Sequence, residues 1–157
     1  MKYARLTKEQ FESLHAEFAT FLASQSIDKK EWDNIKAEKP QVAEETLDIY
    51  SDVIWDGVLN QAKYLDHFSK SHIFLFECLP DAIQSIVISV HDEAIDLMTT
   101  KGLEWLVNHL MADEVVIQKG KKTYDKARNA VIFDIIQQGA ILSKGEFYND
   151  LNQVLKS

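Results

Sequence analysis

A chain of 157 residues, 46% of them hydrophobic and 27% charged, carries enough apolar material for a substantial core and too much for global disorder. Lys and Arg total 17 against 25 Asp and Glu, and the net charge of −8 argues against general nucleic-acid binding and against adhesion to an anionic membrane. The lone cysteine, Cys78, excludes an internal disulfide, and no apolar run reaches the ~20 residues of a spanning helix.

The opening residues, Met1-Lys2-Tyr3-Ala4-Arg5, carry no apolar signal core, so the expected location is the cytoplasm. Thr7 and Gln10 form a capping box ahead of Phe11, Leu14, Phe18, Phe21 and Leu22. That spacing predicts a helix over about 7–24. Asp28 with Glu31, and Ile27 with Trp32, read as a second capping box and its hydrophobic staple, opening a short helix over about 29–38 that stops near Pro40. A third helix is expected over about 41–62. Its arcs Ala43-Leu47-Tyr50-Ile54-Val58, Val42-Ile49-Val53 and Trp55-Leu59 predict burial on more than one side.

The character changes near residue 63. Tyr64 to Phe68, His72 to Cys78 and Ile83 to Val90 are short, aromatic or β-branched, and separated by turn formers, which predicts an antiparallel meander. A helix follows over about 100–112. Val115 to Lys119 reads as a strand, Gly120 as a turn, and about 121–124 as a second strand. Asp125 is expected to cap a helix running to about 138 and ended by Gly139. Ser143 with Glu146, and Leu142 with Phe147, predict a last helix that buries Phe147, Leu151, Val154 and Leu155. The fold class is therefore α+β: a mostly antiparallel sheet of about five strands with helices packed on it, in the order ααα-βββ-α-ββ-αα. With no Gly/Pro/Ser linker, residues 1–157 read as one domain, helical over 1–62 and mixed α/β over 63–157.

The opening also carries a pattern: Lys2-Tyr3, Arg5-Leu6-Thr7-Lys8-Glu9-Gln10, Phe21-Leu22-Ala23, Gln25-Ser26-Ile27, then Trp32, Ile35-Lys36, Lys39-Pro40, Ala43-Glu44, Asp48, Ser51-Asp52 and Trp55. It resembles a small family of uncharacterised bacterial proteins of similar length from the Bacteroidetes group, most densely over residues 2–55. The resemblance implies a cytoplasmic bacterial protein and supplies no functional residue.

Candidate sites are surfaces rather than points. Glu45, Asp48, Asp52 and Asp56 fall within roughly an 80° arc of the third helix, a docking row for a basic partner, with the solvated face of a helix as the plainer reading. A metal would need ligands from several elements, and no histidine lies on that helix. Lys119, Lys121, Lys122, Lys126 and Arg128 form a basic patch suited to RNA, DNA or an acidic protein surface, with a solvated turn that protects a sheet edge as the plainer reading. His72 and Cys78 share a strand face but stand ~20 Å apart, so they neither share an ion nor form a nucleophile–base pair. No nucleophile elbow, phosphate loop or HExxH motif is present.

The expected function is a non-enzymatic protein-binding module: an adaptor, a chaperone-like protein or a regulatory subunit. It takes a protein partner, has no catalytic residue, metal or cofactor, does not bind nucleic acid or insert in a membrane, and is free to form a homodimer. Two alternatives stand beside it. One is a ligand-binding protein or enzyme with a polar pocket between the N-terminal helices and the sheet, lined by His67, His91 and the acidic loop of Asp92, Glu93 and Asp96 that follows the third strand. The other is a toxin-neutralising immunity protein.

Overall fold

Thr7 opens the chain's first helix as its sequence demands. Its hydroxyl accepts the Gln10 N–H at 3.2 Å while the Gln10 side chain accepts the Thr7 N–H at 2.8 Å. The computed structural model describes residues 1–156, and its contacts divide the chain into two compact units, Met1–Asn60 and Gln61–Ser157.

The first unit is helical: α1 (Lys8–Ser13), α2 (His15–Ser24), α3 (Lys29–Glu38) and α4 (Pro40–Gln61). The single helix expected over 7–24 is two, broken at Leu14 (φ −107°, ψ 22°). Beside the break the Ser13 hydroxyl donates to the Glu9 carbonyl, a back-bond that bends helices. Asp28 caps α3 by accepting the Glu31 N–H at 2.8 Å. Pro40, which stops α3, then occupies the first position of α4, where its missing N–H costs nothing.

Leu22, Trp32 and Ala43 form the buried centre of this unit, with Phe18, Ile27, Ile35 and Leu47 packed around them. Phe18 meets Tyr50 edge-on at 4.8 Å and Trp32 at 5.3 Å. α4 is buried along two of its three apolar arcs, at Ala43 and Tyr50 and at Leu59, while the third arc, Val42, Ile49 and Val53, is 42%, 57% and 51% exposed.

The second unit is a five-stranded antiparallel sheet with helices on it, so the chain is an α+β protein. Strands β1 (Tyr64–Phe68), β2 (His72–Cys78) and β3 (Ala82–Val90) form the expected meander. α5 (Thr100–Asn108), capped by the Thr99 hydroxyl, leads into β4 (Val115–Thr123), which pairs with β3. α6 (Arg128–Gln137) then carries the chain to β5 (Ile141–Ser143) beside β1, and α7 (Glu146–Lys156) closes it. The sheet order is β4-β3-β2-β1-β5.

One face of the sheet carries Ile73, Leu75, Ile86, Ile88 and Val90 against Leu97, Leu106, Tyr148 and Leu151. The other carries Phe76, Ile83 and Ser85 beneath α6.

Five local expectations are corrected. The predicted hairpin at 115–124 is one strand, and Gly120 pairs with Ser85 inside it. α5 ends at Asn108, where the His109 ring donates to the Trp105 carbonyl and stacks on the Trp105 indole at 4.4 Å. Asp125 does not cap α6, whose first residue follows Ala127 without a side-chain cap. Ser143 belongs to β5 instead of capping α7, its hydroxyl accepting the Gly145 N–H and donating to Asp66. On α7, Tyr148 is buried and Val154 is 51% exposed, exchanging the roles expected for that face.

Among the described residues no helix is long and apolar enough to cross a membrane.

Candidate functional site

The sheet order leaves β4 as an edge, and its nine residues make it a far longer edge than the three residues of β5. All of Gln118 to Thr123 are exposed. Lys119, Lys121 and Lys122 stand opposite Ile86, Gln84 and Ile83 of β3, so no carboxylate faces them across the strand pair. Lys119 is steadied by Asn152, whose side-chain oxygen accepts from its ammonium at 2.8 Å.

Between this edge strand and α6 lies a cleft of about 530 Å³. Phe76, Ile83, Ser85 and Gly120 form its sheet side, Val131, Ile135 and Gln138 its helix side, and Lys121, Lys122, Lys126 and Asp125 its polar border. Gly120 keeps the sheet side low: a Cβ there would come within 3.1 Å of the Ser85 hydroxyl. Lys126 is ion-paired with Asp134 and so brings little net charge of its own.

The basic patch read from the sequence therefore separates. Lys119, Lys121 and Lys122 lie on the edge strand, Lys126 is on the cleft border with its counter-ion, and Arg128 points elsewhere. The Arg128 guanidinium donates to the backbone carbonyls of Ala62, Cys78 and Leu79, tying the approach to β1 to the β2–β3 turn. Tyr124 donates to the same Leu79 carbonyl at 2.8 Å.

The acidic row is also largely engaged. The backbone N–H groups of Lys2 and Tyr3 donate to the two oxygens of Asp52 at 2.6 and 2.9 Å. Asp56 receives the Tyr3 hydroxyl and the Lys2 ammonium. Arg5 forks onto Asp48 and Glu44, and Leu6 donates its N–H to the buried Ser51 hydroxyl. Residues 2–6 thus run along α4 as a strap held by its carboxylates, and Glu45 remains at the surface outside that strap. An Asp52→Ala variant is expected to speed exchange of the Tyr3 amide about tenfold or more, the equivalent of one hydrogen bond to a charged group. Exchange measured by NMR checks this; an unchanged Tyr3 amide would show the strap is held by the Arg5 pairs alone.

The histidines and the thiol stay dispersed. His67 and His72 both lie against Phe74, at ring distances of 5.6 and 5.8 Å, and Gly139 (φ +117°) passes close to the His67 Nε2. Cys78 sits at the far end of β2, where burial pushes its thiol up to about 11. His91 is exposed after β3. Asp92 and Asp96 of the acidic loop accept the N–H groups of Ala94 and Met98, which is turn chemistry. Among the described residues no group of three or more His, Cys, Asp or Glu side chains is placed to hold a metal ion.

A second cleft, lined by Asp66, Ser143, Lys144, Glu146, Phe147 and Asp150, contains a buried carboxyl that sequence reasoning passed over. Asp66 is 9% exposed, and burial raises its pKa while the Ser143 O–H works the other way. Its position inside a strand of alternating character was the available signal, since β1 places Asp66 on the same face as Tyr64 and Phe68.

A family model matches residues 1–156 under the description "family of unknown function (DUF6495)", and the chain belongs to that family. No curated protein and no solved structure matches it.

Proposed function

We propose that this member of the DUF6495 family is a non-enzymatic, cytoplasmic protein-binding module, and that its partner presents an acidic segment to the cleft beside β4. The carrying observation is the set of edge lysines, Lys119, Lys121 and Lys122, with no carboxylate opposite them in register. In a chain of net charge −8 such a local excess of positive charge favours acidic groups and turns away basic ones. The adjoining apolar surfaces of Phe76, Ile83, Val131 and Ile135 supply area for burial next to that charge. The acidic row of α4 carries less of the reading, because Asp48, Asp52 and Asp56 already serve the strap.

The test uses a capped synthetic peptide of alternating Glu and Val, labelled for fluorescence anisotropy, with a Lys/Val peptide and a single-stranded RNA oligonucleotide as controls. The acidic peptide is expected to bind alone. The double variant Lys121→Glu/Lys122→Glu, which changes only exposed side chains, should weaken it at least about tenfold. Equal binding of the Lys/Val peptide, preference for the RNA, or indifference to the double variant sinks the proposal.

A further inference from the structure

The hydrogen-bond phase of β4 extends this reading. Val90 donates its N–H to the Ser71 carbonyl on the β2 side, and His91 donates to the Glu114 carbonyl on the β4 side. In an antiparallel ladder the direction of the backbone groups alternates residue by residue. Ser89, Val87, Ser85 and Ile83 therefore bond toward β4, through their register partners Val116, Gln118, Gly120 and Lys122. The remaining residues of β4 point their backbone groups outward. Val115 satisfies its N–H internally on the Ala112 carbonyl. The outward N–H groups of Ile117, Lys119, Lys121 and Thr123 are left on an edge that no further strand covers.

From this geometry we infer that β4 takes up the acidic segment of its partner by strand addition, as a sixth strand; the inference rests on the acidic-partner reading above. Charge chooses the occupant. A second copy of β4 laid antiparallel about Gly120 would set Lys119 against Lys121, like charges directly opposite, which is destabilising. An extended segment with acidic side chains at alternate positions reverses that sign. It would put one row of side chains over the cleft, where the bare Gly120 leaves space, and the other beside Lys119 and Lys121. The lysines that keep the edge from pairing with itself thus act as the selector for what does pair.

The experiment compares the Glu/Val peptide with the same peptide N-methylated at alternate residues, which keeps every charge and removes the donors of one edge. Hydrogen exchange of the protein is followed with each. Two results are expected together: the N-methyl peptide binds at least about tenfold more weakly, and the parent slows exchange at Ile117, Lys119, Lys121 and Thr123 but not at Val116, Gln118, Gly120 and Lys122. If the N-methyl peptide binds equally well, strand addition falls while the acidic-partner reading stands. Uniform slowing along β4 overturns it likewise. If neither peptide binds at millimolar concentration, both readings fall together.

Discussion

Replacing Gly102 by Ala is expected to cost about 3 kcal/mol or more of stability, the largest single effect anticipated for a one-methyl change in this chain. A Cβ at Gly102 would lie 1.8 Å from the Asp96 carbonyl oxygen and 2.5 Å from its carbon. Both atoms are backbone, so no rotamer change relieves the overlap. Gly102 is buried in the first turn of α5, its N–H held by the Thr99 hydroxyl at 3.0 Å. The loop it touches leads into Leu97, which is fully buried against the sheet core. Either α5 lifts or the 96–97 peptide turns, and both routes open the layer containing Leu97 and Leu106. Urea denaturation of the variant checks the size. A loss under about 1 kcal/mol would mean that the loop yields easily, and the close approach would then carry no structural weight.

The second large effect belongs to Arg128. Arg128→Met keeps much of the side chain's bulk and removes the donors that reach Ala62, Cys78 and Leu79. Partly buried carbonyls left without a charged donor cost about 2–3 kcal/mol together. The same variant gives a local readout. Cys78 is buried and its thiol is held up at about 11, with burial the main cause and the nearby Arg128 charge working against it. Alkylation in mildly alkaline buffer is therefore slow in the folded protein. Opening of the β2–β3 turn in Arg128→Met should raise that rate severalfold below the unfolding transition. A stable variant with an unchanged alkylation rate would show that water replaces the guanidinium without consequence, and Arg128 would return to the basic patch.

Arg128 also marks where sequence reasoning stops. Five basic residues within ten positions read as one surface, because sequence distance was the only distance available. Strand alternation and the turn into α6 then send them to separate places: an edge, a cleft border and a backbone tie. The acidic row misled in the same way. Its angular clustering on α4 was legible from the 100° step, but the strap that occupies it comes from the opposite end of the unit's sequence.

What was legible was local and strong. The Thr7–Gln10 box, the Asp28 cap, Gly139 at the end of α6 and the β1–β3 meander each rest on a pattern confined to a few residues. Gly120 failed because a glycine in a strand and a glycine in a turn look alike until the partner strand is known. β5 failed because Ile141-Leu142-Ser143 is too short for an alternation to register, and Leu142 with Ser143 also fits a helix start. The exposure of Val42, Ile49 and Val53 was beyond periodicity alone, which reports how many apolar faces a helix has but not how many of them neighbours cover.

The path of α6 has a consequence for how the molecule assembles. The meander closes by short turns between neighbouring strands, whereas β5 can reach β1 only after the chain has left the opposite margin and travelled over the whole sheet. The Asp66–Ser143 contact that accompanies this arrival joins residues 77 positions apart. Loop-closure entropy makes that the costliest junction of the second unit to form. The three-residue rung is therefore the natural last step of folding and the first place for the sheet to fray, so the clasp that completes the architecture is also its most reversible joint.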